Sequence, residues 1–160
     1  MDRTSYAIAL GSNRRHIRHG GPEGVLRAAI EALGELGDIE RVSAIHRTPA
    51  LGPAGRGFAN AALVLTTQLD PAELLSAMKR IERRFGRRPG RRWGPRVLDL
   101  DIILWSQGRH EGRRLRIPHP EMARRDFVLR PLREVAAGWR HPIGGARVRQ
   151  LAARHRRRKV

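Results

Sequence analysis

The chain of 160 residues has no cysteine, one tyrosine and two lysines, Lys79 and Lys159. Without cysteine, disulfides and thiolate metal sites are excluded. That fits a reducing compartment without requiring one. No apolar run approaches the length of a membrane span. The start, Met1-Asp2-Arg3-Thr4-Ser5-Tyr6-Ala7-Ile8, lacks the layout of a signal peptide. A cytoplasmic protein that does not engage a membrane is expected. Aromatic residues are only 4% of the chain, which argues against a sheet that stacks unpaired RNA bases on exposed rings. No GxxxxGK stretch occurs, so a main-chain phosphate cradle of the usual kind is not encoded. No serine and histidine stand in a recognisable nucleophile–base pattern. Acids are also scarce: 15 Asp+Glu against 33 Lys+Arg give a net charge of +18. Such a field draws anions in, without choosing among nucleotides, nucleic acid and acidic membranes. The apolar fraction of 40% is ordinary for a folded domain, and the length suits one domain, residues 1–160, with a basic tail from about 147.

Against this basic background, one stretch stands out: Arg92-Trp93-Gly94-Pro95-Arg96-Val97-Leu98-Asp99-Leu100-Asp101-Ile102. A cationic, turn-rich segment runs into a strand. Its alternation puts Leu98, Leu100, Ile102 and Leu104 on one face, and Asp99, Asp101 and Ile103 on the other. Two carboxylates on one face of a strand suit magnesium, which takes a few carboxylates together with substrate phosphates. Neighbouring arginines suit the phosphate oxygens. The bland alternative is that the same arginines merely neutralise the acids as salt bridges.

The rest of the chain divides readily. Tyr6–Leu10 reads as a buried strand stopped by Gly11-Ser12-Asn13. Residues 22–36 have helical spacing, with Gly37 as a stop. Residues 39–48 read as one strand, 49–57 as a loop and 58–67 as a strand. Asp70 followed by Pro71 marks a helix start, with Leu74, Leu75, Met78, Ile81 and Phe85 on its buried face. Residues 86–94 form a glycine- and proline-broken loop holding Arg87, Arg88, Arg91 and Arg92. A short strand is expected over 114–117, and a short helix opening at Pro131. The tail, 147–159, reads either as a basic helix or as a frayed end. Strand, helix, strand, strand, helix, strand is the split βαβ order of α+β ferredoxin-like folds.

Several residues carry chemistry beyond the aspartates. A loop rich in arginine, glycine and proline can close over phosphates, although most charge runs are simply solvated. Trp93, Phe58 and Phe127 are either loop anchors or flat walls for a ring. Asn60 shares a strand face with Phe58 and can read the polar edge of a heterocycle. His119, set between Pro118 and Pro120, either ends a strand or meets a phosphate. His16 and His19 read as surface residues.

These segments closely resemble the 6-hydroxymethyl-7,8-dihydropterin pyrophosphokinase family. The resemblance runs through Leu10-Gly11-Ser12-Asn13, Arg47-Thr48-Pro49-Ala50-Leu51-Gly52-Pro53, Phe58-Ala59-Asn60-Ala61-Ala62, the 92–102 stretch, Ile117-Pro118-His119-Pro120 and Arg125-Asp126-Phe127-Val128-Leu129. It implies a ferredoxin-like α+β fold, mainly an antiparallel sheet with helices packed on it. It implies transfer of the pyrophosphoryl group of ATP to the hydroxymethyl group of the reduced pterin, with release of AMP, in folate biosynthesis. Asp99 and Asp101 would hold two magnesium ions, and Arg87, Arg92 and Trp93 would complete the catalytic set. Glu82, Arg88, Arg92, Arg96, Ile102, Arg114, His119 and Arg125 would surround ATP. Thr48, Pro49, Ala50, Leu51, Phe58, Asn60 and Phe127 would form the pterin pocket. The chain departs from the family pattern at Pro89, where a loop arginine is usual, so Arg88 or Arg91 takes that part. The partners implied are ATP and a reduced pterin alcohol, for a monomer. The competing readings are a basic nucleic-acid-binding module, disfavoured by the acids at 99 and 101, and a non-catalytic relative, disfavoured by the intact Asp99, Asp101, Arg92 and Arg96.

Overall fold

The computed structural model describes residues 2–13, 19–48, 57–86 and 97–158. At its centre runs β1 (Thr4–Ser12), whose apolar run Tyr6–Leu10 is buried on both faces. It pairs antiparallel with β4 (Phe58–Thr67) on one side and β5 (Asp99–Trp105) on the other. Beyond β4 lie β2 (Asp38–Val42) and β3 (His46–Thr48), both antiparallel to it. The path β2-β4-β1-β5 is the interleaved order of a split βαβ sheet, as the element sequence predicts.

Two core layers sandwich this sheet. On one face lie α1 (Pro22–Gly34) and α2 (Pro71–Arg84), packed on Tyr6, Ile8, Leu10, Leu63, Leu65, Leu98, Leu100 and Ile102. The start of α2 follows from Asp70. Its carboxylate accepts the Glu73 amide at 2.8 Å, and the Glu73 side chain accepts the Asp70 amide at 3.0 Å. This closes a capping box around Pro71. Leu74, Met78 and Ile81 then bury fully at helical spacing, each contributing roughly 1.5–3 kcal/mol. On the other face, α3 (Asp126–Ala136) and α4 (Val148–Arg158) cover Ala7, Ala9, Ala62, Val64, Ile103 and Leu104. A small hairpin, β6 (His110–Glu111) with β7 (Arg116–Ile117), and a 3-10 turn at Met122–Arg124 link β5 to α3.

Three expectations are corrected. Leu104 does not share a face with Leu98, Leu100 and Ile102; it lies in the α3–α4 core beside Ile103. The β1–β5 register shifts between Ala7 and Ile8, and such a bulge reverses the alternation beyond it. Residues 39–48 are two strands, because the Ser43 hydroxyl accepts the Ala62 amide at 2.9 Å and the Glu134 carboxylate accepts the Ala44 amide at 2.9 Å. Side chains there take over part of the ladder, while the Ser43 amide still donates to the Ala62 carbonyl at 2.9 Å. Pro131 sits inside α3 and does not open it. The helix starts at Asp126, with the Arg125 carbonyl accepting from Val128 and Leu129 at 3.0 Å each. The tail takes the helical option, as α4. Gly37 lies beyond the end of α1, where a Cβ would come within 2.2 Å of the Thr66 carbonyl oxygen; only glycine fits there.

Candidate active site

The α3 face of the sheet carries the chemistry, at the end of β1 where its core ends. Register fixes the layout. Gly11 pairs with Asn60 on one side and Asp99 on the other, and Ala9 pairs with Ala62 and Asp101. Directly paired residues share a face, so Asn60, Asp99 and Asp101 project together. With two inter-strand steps between them, Asn60 and Asp99 stand about 10 Å apart in backbone terms. The strand between offers only Gly11 and Ala9. A Cβ at Gly11 would meet Asn60 Oδ1 at 3.1 Å, so glycine keeps this floor low and leaves Asn60 its room. One strand further out, His46 pairs with Asn60 and Thr48 with Phe58, placing Thr48 and Phe58 on the same face.

The wall comes from the segment that leads into α3. His119 is docked on the open edge of β5 by its amide, which donates to the Ile103 carbonyl at 2.9 Å. Burial pushes the His119 imidazole below its usual pKa. The Asp101 carboxylate partly opposes that shift and the Arg125 guanidinium adds to it. His119 is thus a neutral ring at pH 7 in electrostatic contact with both residues. Its Nδ1 accepts the Glu121 amide at 3.1 Å, so the ring proton sits on Nε2 and is available as a donor. Arg125 caps α3 and lies over the Phe127 ring, 5.7 Å from its centroid, a cation–π arrangement. Phe58 and Phe127 are each 49% exposed, whereas Phe85 is buried in the core. Phe58 thus leaves half of its ring bare on the strand face that carries Asn60.

The remaining predicted residues fall in different places. Glu82 on α2 is buried; its carboxylate accepts the Leu100 amide at 2.8 Å and pairs with Lys79 at 3.1 Å. It grips β5 at the residue between the two aspartates. The Ile102 side chain is buried in the α1–α2 core, on the face opposite the aspartates. Arg114 is exposed on the turn between β6 and β7. Pro49, Ala50, Leu51, Arg87, Arg88, Arg92, Trp93 and Arg96 lie outside the described residues, as does His16. His19 is exposed, as expected, with its ring 5.3 Å from that of Phe85. A cleft of about 930 Å³ adjoins the site at Thr48 and Phe58 and extends to Asn13 and the start of α1. Sequence reasoning did not mark its Glu23–Arg47 ion pair, which joins residues 24 positions apart and leaves no local signal.

Among the described residues, no group of three or more His, Asp or Glu side chains could hold a metal ion. Two carboxylates on one face nevertheless fit magnesium that arrives with a nucleotide, since phosphate oxygens complete its shell. Asp101 makes no ion pair among the described residues; the arginines that frame the pair in sequence lie outside them.

Residues 7–137 match the family model of 7,8-dihydro-6-hydroxymethylpterin-pyrophosphokinase. The chain belongs to this pyrophosphokinase family. Relatives named 2-amino-4-hydroxy-6-hydroxymethyldihydropteridine pyrophosphokinase include that of Pseudomonas aeruginosa, 39% identical over 91% of this chain and 89% of its own. That of Haemophilus influenzae is 40% identical over 84% of this chain and 82% of its own. The Synechocystis relative is 43% identical over 79% of this chain, which spans 66% of that protein. In fold, the chain is similar to Plasmodium falciparum HPPK-DHPS, crystallised as wild type with SDX-DHP. The TM-score is 0.74 at 14% identity, over 98% of this chain and 45% of that one. The pyrophosphokinase match ends before α4 begins. No helix among the described residues is long and apolar enough to cross a membrane.

Proposed function

We infer that this chain transfers the pyrophosphoryl group of ATP to the hydroxymethyl group of 6-hydroxymethyl-7,8-dihydropterin, releasing AMP, in folate biosynthesis. The observation that carries the reading is the shared face of β1, β4 and β5. It sets an amide and an aromatic ring on one side of a glycine floor and a carboxylate pair on the other. A flat heterocycle and a polyphosphate need those two surfaces side by side.

Phe58 and Phe127 offer their exposed faces to the pterin ring, and the burial of those faces supplies binding free energy. Asn60 and Thr48 meet the polar edge, and Asn60 can both donate and accept there. Pro49, Ala50 and Leu51 complete the pocket. Asp99 and Asp101 would hold magnesium, two ions in this reading, which would supply charge neutralisation for the phosphates. The neutral His119 donates from Nε2 to a phosphate oxygen, and Arg125 adds a cation from the start of α3. Arg87, Arg92, Trp93, Arg96 and either Arg88 or Arg91 supply the rest of the positive surround. Glu82 and the buried Ile102 brace the strand that carries the aspartates, the latter from the opposite face, and Arg114 borders the nucleotide. Transfer of this kind depends on positioning and electrostatics more than on a strong base, which suits a site without an evident one. The chain acts as a monomer.

The test is incubation of the protein with ATP, magnesium and the reduced pterin alcohol, followed by chromatography. AMP and a pterin diphosphate should form in equal amounts. ADP as the nucleotide product, or no pterin-dependent AMP, would overturn the assignment.

A further inference from the structure

The helix beyond the family match reaches the start of α3 through His155. On α4, Val148 and Ala152 are buried against α3. His155, one turn further on, has a side chain only 14% exposed. Its Nε2 lies 3.1 Å from the Arg124 carbonyl oxygen. Its Nδ1 is buried without a hydrogen-bond partner, facing Asp126 Oδ1 at 3.5 Å. The other oxygen of that carboxylate meets the Arg130 Nε at 3.0 Å. The ring therefore faces an oxygen on each side, in hydrogen-bond reach of one and close to the other. Those oxygens belong to residues 124 and 126, which flank Arg125.

We propose that His155 is a positioning residue for Arg125: α4 uses it to clamp both backbone neighbours of that arginine, and so fixes the guanidinium over Phe127 and towards His119. The proposal rests on the nucleotide-binding role given to Arg125 above. Three features support it. A buried polar ring is aimed at this turn when α4 could have docked through its apolar residues alone. Arg125 is the extended joint between the 3-10 turn and α3 (φ −108°, ψ 104°), with its amide held by a long 3.4 Å bond to the Met122 carbonyl, so its direction depends on the residues on either side. And the clamp acts where the Arg125 side chain leaves the backbone, so a loosened turn moves the charge rather than only softening the helix.

The test is a double-mutant cycle on the full chain, read by calorimetric binding of magnesium with α,β-methylene-ATP. His155→Ala should weaken binding about fivefold in the wild-type background and leave it within twofold in the Arg125→Ala background, a coupling of ordinary size for neighbours in one network. His155→Gln, which keeps a donor for the Arg124 carbonyl, should lose less than His155→Ala; it carries the test alone if the alanine variant fails to fold. Equal losses in both backgrounds, or no loss from either substitution, would overturn the clamp. Absence of nucleotide binding by the wild type would instead sink the functional reading, and the clamp with it.

Discussion

Glu82 offers the sharpest test of how the fold presents its aspartates. Its buried carboxylate accepts the Leu100 amide at 2.8 Å, on the open edge of β5 between Asp99 and Asp101. Replacing it with alanine removes a hydrogen bond to a charged group, worth about 1.5–3 kcal/mol, and leaves the Leu100 amide without that acceptor. Breaking a fully buried ion pair would cost about 3–5 kcal/mol. Lys79, however, is 38% exposed and regains water, so the lower end applies, about 3 kcal/mol in all. For a chain of this size that lowers Tm by about 9 °C. With a urea slope near 2 kcal/mol/M, the midpoint falls by about 1.5 M. Glu82→Gln keeps an acceptor for the amide and loses only the charge, so a loss of about 1 kcal/mol is expected. Urea unfolding followed by tryptophan fluorescence reads both variants. A loss below 1 kcal/mol for alanine, or equal losses for the two, would refute the argument that this carboxylate anchors the strand. Glu82→Gln, which should fold, is also expected to lower kcat more than its small stability loss explains.

Other outcomes follow from single features. Tyr6, the only tyrosine, is fully buried, and burial pushes its hydroxyl up to about 12. The folded state therefore disfavours the phenolate: the stabilisation is complete below about pH 10 and is lost as pH rises towards 12, by about 2–3 kcal/mol. Absorbance at 295 nm should show ionisation near 12 in buffer and near the ordinary value in strong urea; coincident curves would contradict it. Asp70→Ala breaks the capping box and should cost about 1 kcal/mol, read as a fall of about 2–4 °C in Tm with kcat/KM unchanged. Phe127→Ala should raise KM for the pterin about tenfold with little change in Tm, because half of the ring is already in water. An unchanged pterin KM would remove Phe127 from the pocket.

Much of this architecture was legible because periodicity and punctuation agree. Residues 58–67, with the apolar run Ala62–Leu65, read as a strand with the bounds observed. Asp70 with Pro71 announces α2 by chemistry local to four residues. What escaped is what depends on distant partners. The break between β2 and β3 rests on Glu134, 90 residues from the amide it accepts. The bulge that moves Leu104 to the other core arises from pairing with β1; nothing in residues 99–105 marks it. Pro131 looks like a helix start, yet the α3 core, from Val128 to Val135, outweighs one lost main-chain bond. In the site, the aspartate pair was readable from spacing of two on a strand. The electrostatic contact of His119 with Asp101 and Arg125 was not, since it arises when the 119 amide docks on the edge of β5. The anchoring position of Glu82 was equally hidden, because an acid on a helix carries no sign of the amide it will accept.

The central claim is that the carboxylates on β5 hold a magnesium-bound polyphosphate beside a pterin pocket. Asp101→Ala measures it most directly, with initial rates of AMP formation from ATP, magnesium and the reduced pterin alcohol set against calorimetric nucleotide binding with and without magnesium. The account predicts at least about a thousandfold loss of rate and loss of the magnesium-dependent part of binding, in a protein that still melts as the wild type does. A folded Asp101→Ala variant with turnover within a few-fold of wild type would contradict it.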